Sequence, residues 1–114
     1  MPYVVRAFPL IRPSEVLRAF AAELAGPRRE EASRFYRNYG VSHESWHLQE
    51  TANGPWVIGV TVIDNPNEAA SRYAGASEAF HAWFKERVLE CTGVDPNVTP
   101  LGPPTTQVFS WSDG

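Results

Sequence analysis

The chain has 114 residues, enough for one domain around a single hydrophobic core. Its 43% hydrophobic content and four tryptophans fit a packed globular protein and argue against a disordered one. A formal net charge of −3, with Arg28-Arg29 followed at once by Glu30-Glu31, gives no reason to expect nucleic acid or an anionic membrane as partner.

The first predicted element is a strand over Tyr3 to Leu10 (YVVRAFPL), rich in β-branched and aromatic residues, with Pro9 marking its end or a bulge. Arg12-Pro13-Ser14-Glu15 starts a helix, and Leu17, Phe20, Ala21 and Leu24 form one apolar stripe along it. Gly26-Pro27 stops that helix. A second begins directly, with Ala32, Phe35, Tyr36 and Tyr39 at the same spacing and Gly40 closing it. Val41 to Thr51 and Trp56 to Ile63 flank Ala52-Asn53-Gly54-Pro55, and Asn-Gly between two β-rich runs predicts a hairpin. Asn65-Pro66-Asn67-Glu68 is a helix entrance in which Asn65 caps, Pro66 takes the first position and Glu68 supplies the capping-box carboxylate. That helix breaks near Gly75 and resumes through Cys91. Pro96 to Pro104 reads as an irregular connector, and Gln107 to Trp111 (QVFSW) as a final short strand.

The order β-α-β-β-α-β is the layout of ferredoxin-like α+β domains, so a single domain over residues 1–114 is expected. That layout implies a four-stranded antiparallel sheet, with the first and third strands central and the helices on one face. On the third strand, Trp56, Ile58, Val60 and Val62 point one way and Val57, Gly59, Thr61 and Ile63 the other. Neither set is polar, yet the helices cover only one side. A second copy of the chain is the expected cover for the other side, giving a homodimer built sheet against sheet.

Residues 43–47, HESWH, match the zinc-binding pattern H-E-x-x-H, which requires a helix. Here the window lies between a helix-ending Gly40 and a hairpin turn, so it forms a strand. Strand geometry holds residues four apart at ~13 Å, too far for two imidazoles to share one zinc at ~2 Å. No metal and no cofactor is expected.

His43, Ser45, His47 and Gln49 share one face of that strand, and Glu44, Trp46, Leu48 and Glu50 the other. Two readings stand: an edge strand whose histidines meet solvent or the dimer seam, or a ligand pocket into which His47 or His43 brings a titrating group. Trp46 enters the core or lines such a pocket. On the last helix, Ala76, Phe80, Trp83, Phe84, Val88 and Cys91 form the apolar stripe, while Glu78, Lys85 and Glu86 fall outside it. Arg87 falls inside the stripe, where it must snorkel, pair with a carboxylate or bind an anionic ligand. His81 lies at the stripe's edge, and Arg6 on the first strand needs a partner of its own. Cys91, the one cysteine, is placed as an inert buried thiol; having no internal disulfide partner, it fits a reducing compartment. The opening MPYVVRAFPLIRP lacks a signal-peptide layout and no apolar run reaches the ~20 residues that span a bilayer. A cytoplasmic location is the expectation.

The opening YVVRAFPLIRP, the segment WHLQETANGPWVIGV, the run FHAWFKERV and the closing QVFSW are fold-level landmarks spanning nearly the whole chain. Through them the chain resembles the dimeric α/β-barrel superfamily of ferredoxin-like proteins, and more narrowly a small bacterial family of unknown function within it. The resemblance implies a pocket between the sheet and the helices of each subunit. It also implies relatives that include cofactor-free quinone-forming monooxygenases, haem-degrading enzymes and stress-responsive dimers. A haem enzyme of this kind uses an asparagine on the first strand and a histidine on the last helix. This first strand has no asparagine, so His81 alone does not support haem binding. The expected function is binding or transformation of a small apolar or aromatic molecule, with His47 and His81 as catalytic candidates. Arg87, Arg6, His43 and Trp46 are the ligand-binding candidates. The alternative is a non-catalytic dimeric module whose own aromatic rings fill the pocket.

Overall fold

The computed structural model describes residues 3–75, 78–95 and 105–113. Its elements are β1 (Tyr3–Pro9), α1 (Ser14–Ala25), α2 (Arg29–Asn38), β2 (Val41–Thr51), β3 (Gly54–Ile63), α3 (Pro66–Gly75) and α4 (Ala79–Thr92). The strands form one antiparallel sheet in the order β1-β3-β2.

Local chemistry sets the boundaries. Thr51 pairs with Gly54, so β2 and β3 are joined by a two-residue loop of Ala52 and Asn53. Gly54 sits at φ 106°, a conformation that a side chain would strain. The Thr51 hydroxyl accepts from the Asn53 N–H at 3.1 Å and donates to the Gly54 carbonyl at 2.7 Å. At the entrance to α3 the Glu68 N–H donates to Asn65 Oδ1 at 3.1 Å, and Pro66 occupies the first helical position, as the sequence indicates. Gly93 ends α4 in the left-handed region, its N–H donating to the Leu89 carbonyl.

The register sorts the sheet into two faces, because residues directly opposite each other point the same way. One face carries the rows Val4-Thr61-Glu44, Arg6-Gly59-Trp46 and Phe8-Val57-Leu48. It meets the helices: Val57 and Ile63 belong to the buried core with Leu17, Phe20, Phe35, Tyr39, Phe84, Val88 and Cys91, and Val4, Phe8, Trp46 and Leu48 pack against that core. The opposite face carries Tyr3-Val62-His43, Val5-Val60-Ser45, Ala7-Ile58-His47 and Pro9-Trp56-Gln49. None of these packs against the core cluster. A bulge at Ser42 shifts the register by one, so Val41 points to the helices although His43 points away.

Two expectations are corrected. The class is α+β, but the four-stranded ferredoxin-like sheet, and the barrel expected from it, give way to a three-stranded sheet with four helices. Residues 107–111 form no strand. The Thr105 N–H and hydroxyl both donate to the Val5 carbonyl, at 2.8 and 2.7 Å, and the Tyr3 hydroxyl donates to Gln107 Oε1. Those contacts set the segment beside the start of β1, and from Val108 onward it has passed the strand's first residue, where no edge remains to pair with. In consequence β1 is an edge of the described sheet and only β3 is central.

The second correction concerns α4. Its buried residues are Phe84, Lys85, Val88 and Cys91, so the apolar stripe is one residue wider than its hydrophobic positions indicate, and Lys85 lies within it at 4% exposure. Ala76 and the connector Pro96 to Pro104 lie outside the described residues. Among the described residues no helix is long and apolar enough to cross a membrane.

Candidate functional site

The helix-facing side of the sheet should be apolar throughout, yet two of its rows carry a charge. Glu44 stands opposite Thr61, and Arg6 stands opposite Gly59, with Trp46 across from the same glycine. Glu44 is held from two sides. Thr61 Oγ1 donates to its Oε1 at 2.7 Å, and Trp46 Nε1 donates to its Oε2 at 2.8 Å. The carboxylate leans over Gly59: a Cβ on that residue would lie 3.9 Å from Glu44 Oε2 and 4.0 Å from Trp46 Cδ1. A side chain much larger than a methyl in this row would press on the carboxylate and the indole.

The electrostatics follow from this burial. Desolvation pushes the Glu44 carboxyl above its ordinary value, against the hydrogen bonds from Thr61 and Trp46 and the positive charge of Arg6. The Arg6 guanidinium is lowered by its own burial, against the pull of Glu44. Among the described residues, Arg6 Nε is buried and finds no hydrogen-bond acceptor. A carboxyl held toward its neutral form beside an unsatisfied buried donor is an arrangement found at sites that bind or transfer protons.

A cleft of about 460 Å³ reaches Glu44 from outside the sheet's β2 edge. Its walls are Ala21, Leu24 and Ala25 of α1, Ala32 and Tyr36 of α2, and Val41 to Trp46 of β2. Small side chains on the two helices open it. Six of its thirteen lining residues are polar: Ser33, Arg37, Ser42, His43, Glu44 and Ser45. A concave apolar wall with polar groups set into it can hold a small molecule. Behind Trp46 the interior is filled with rings: Phe20 lies 5.2 Å from Trp46, 5.5 Å from Trp83 and 5.2 Å from Phe84, centroid to centroid. The Arg28 guanidinium lies 4.1 Å over the Trp83 ring and is paired with Glu23 and Glu31.

The sequence candidates divide between places. Arg6 and Trp46 meet at the Glu44 cluster, and His43 lines the cleft at its strand edge. His47 is exposed on the opposite face, its Nε2 3.0 Å from Ser45 Oγ. His81 is wedged between Phe35 and Tyr39, at 4.9 and 5.7 Å, with Nδ1 3.3 Å from Glu78 Oε2. Arg87 pairs with Glu86 at 3.5 Å and Glu90 at 3.6 Å on its own helix, while its Nε is buried without an acceptor among the described residues. His47, His81 and Arg87 therefore do not join Arg6 and Trp46. Among the described residues no group of three or more histidine, cysteine or acidic side chains is gathered that could hold a metal ion.

No protein-family model, curated protein or solved structure matches the chain. The residues that sequence reasoning missed are Glu44 and Thr61. The signal was present, because Glu44 shares its strand face with Trp46 and Leu48, and a carboxylate on the core side of an alternating strand needs a partner. The hairpin register supplies that partner across the sheet.

Proposed function

We propose that the protein binds a small, mostly apolar or aromatic molecule in the cleft between β2 and the α1–α2 pair, and that it works as a homodimer in the cytoplasm. The observation that carries the ligand reading is Glu44: a half-buried carboxyl, fixed by Trp46 and Thr61, on the wall of the cleft. In this reading Glu44, not a histidine, is the group that holds or accepts a proton at the ligand. Its raised affinity for a proton suits hydrogen bonding to, or deprotonation of, an aromatic hydroxyl or an acidic C–H. Proton abstraction of that kind would open a cofactor-free oxygenation, the chemistry that the resemblance to the dimeric α/β-barrel superfamily implies. The homodimer reading is supported by the second sheet face, where Trp56, Ile58, Val60 and Val62 lie side by side, half-buried and not packed on the core.

A thermal-shift panel of phenols, quinones and aromatic acids tests the ligand reading. At least one class should stabilise the wild-type chain, and Ala25→Trp, which plugs the cleft from α1, should abolish that shift. No stabilisation by any class, or stabilisation that survives the plug, overturns it. A second reading, a dimeric module without chemistry, is favoured by the ring cluster around Phe20, which leaves the deep sheet–helix layer filled by the protein itself. An unaltered ligand affinity in Glu44→Gln would favour that reading over catalysis.

A further inference from the structure

The end of the described chain carries the feature with the least internal use. Val108, Phe109 and Trp111 are 92%, 80% and 74% exposed, and they are half of the large hydrophobic side chains that the described residues leave exposed. Three such residues within four positions are not scattered surface apolar groups. They are presented because of how the segment begins. Thr105 is tied to Val5, and Gln107 to Tyr3, so the segment runs antiparallel to β1 and then leaves the sheet past Tyr3, the strand's first residue.

The same chain offers an apolar surface of matching kind. Val5, Trp56, Ile58, Val60 and Val62 share the sheet face that does not pack on the core. Val108, Phe109 and Trp111 do not cover that face within their own chain, since all three are left exposed.

We infer that residues 108–111 of one copy lie across the open sheet face of a second copy, and that the contact is reciprocal. This rests on the homodimer reading above and adds to it the element that fastens the two copies. A twofold arrangement lets one contact, made twice, cover the exposed segments and the half-buried apolar faces that receive them, without open-ended growth. The areas are sufficient. Aromatic side chains bury roughly 150–250 Å² each, so the four rings of two segments remove about 600–1,000 Å² from water. The faces that receive them lose a like amount, and the total reaches the roughly 1,200–2,000 Å² of stable interfaces.

Sedimentation of the full chain and of the double variant Phe109→Asp, Trp111→Asp gives the first test. The wild type should have the mass of two protomers, and the variant that of one, with unchanged circular dichroism because the replaced side chains touch no core residue. A second measurement fixes the geometry: Ser112→Cys chains mixed with Val60→Cys chains should form a disulfide between copies, and Cys91 is too buried to compete. A wild-type monomer overturns the homodimer reading and this inference together. A dimer that survives the double aspartate variant overturns only the placement of the segment. A disulfide that forms within one chain carrying both cysteines, but not between mixed copies, shows the segment folded onto its own sheet and likewise overturns it.

Discussion

Glu44 and Thr61 face each other across β2 and β3, and the Thr61 hydroxyl donates to Glu44 Oε1 at 2.7 Å. That bond is one of two that hold a half-buried acid in place. Thr61→Val preserves shape and removes the donor. It should cost about 0.5–1.5 kcal/mol in urea unfolding, the usual range for one hydrogen bond between partly buried groups. It should also move the Glu44 titration further upward, read by carboxyl carbon NMR.

The pH dependence follows from the same acid. Burial raises the folded-state value of Glu44 above its ordinary 4.5, so between the two values the folded chain binds more protons than the unfolded one. The stability that Glu44 contributes is fully present below the unfolded value and is lost as pH rises through the folded one. Glu44→Gln cannot ionise, so its unfolding free energy should fall less than that of the wild type as pH climbs from 4 toward neutrality. Parallel curves for the two proteins across that range would contradict the burial of the charge.

Gly59 separates a tolerated change from a harmful one. Its Cβ positions near Glu44 Oε2 and Trp46 Cδ1 are ordinary contacts at 3.9 and 4.0 Å, so Gly59→Ala should stay within about 0.5 kcal/mol of wild type. Gly59→Leu must push aside the carboxylate or the indole. Its overpacking cost should be about 1–3 kcal/mol, accompanied by loss of whatever ligand affinity the cleft shows.

Phe20 touches Trp46, Trp83 and Phe84 at once and is 4% exposed. Phe20→Ala should cost about 3–5 kcal/mol by thermal or chemical unfolding. It should also blur the near-ultraviolet circular dichroism of the tryptophans whose packing it fixes.

Much of the fold is legible in the sequence because its signals are local. The Ala52-Asn53-Gly54 turn, the Asn65-Pro66 entrance and the breaks at Gly26 and Gly75 each depend on residues within a few positions. The hydrophobic alternation of β3 likewise shows two apolar faces without any knowledge of its neighbours. What fails is non-local. QVFSW has the composition of a strand, but a strand also needs an edge running alongside it, and the chain delivers this segment past the start of β1. Lys85 looks like an outer-face residue by charge, yet its aliphatic stem sits beside Phe84 and Val88 in the stripe. The site was half legible: Arg6 and Trp46 stand out by type, while Glu44 becomes visible only once the hairpin register sets it against Thr61. The histidines drew attention through a helical motif that a strand pulls apart.

Lys85 is the only lysine of the chain and Cys91 the only cysteine, and both are buried on α4, at 4% and 2% exposure. Burial also keeps the Cys91 thiol above its ordinary value and the Lys85 amine below its own. Acylating and alkylating reagents thus have one internal target apiece, six residues apart on one helix. Each reaction must wait for that helix to lift, so the two labelling rates would time a single opening event by independent chemistries.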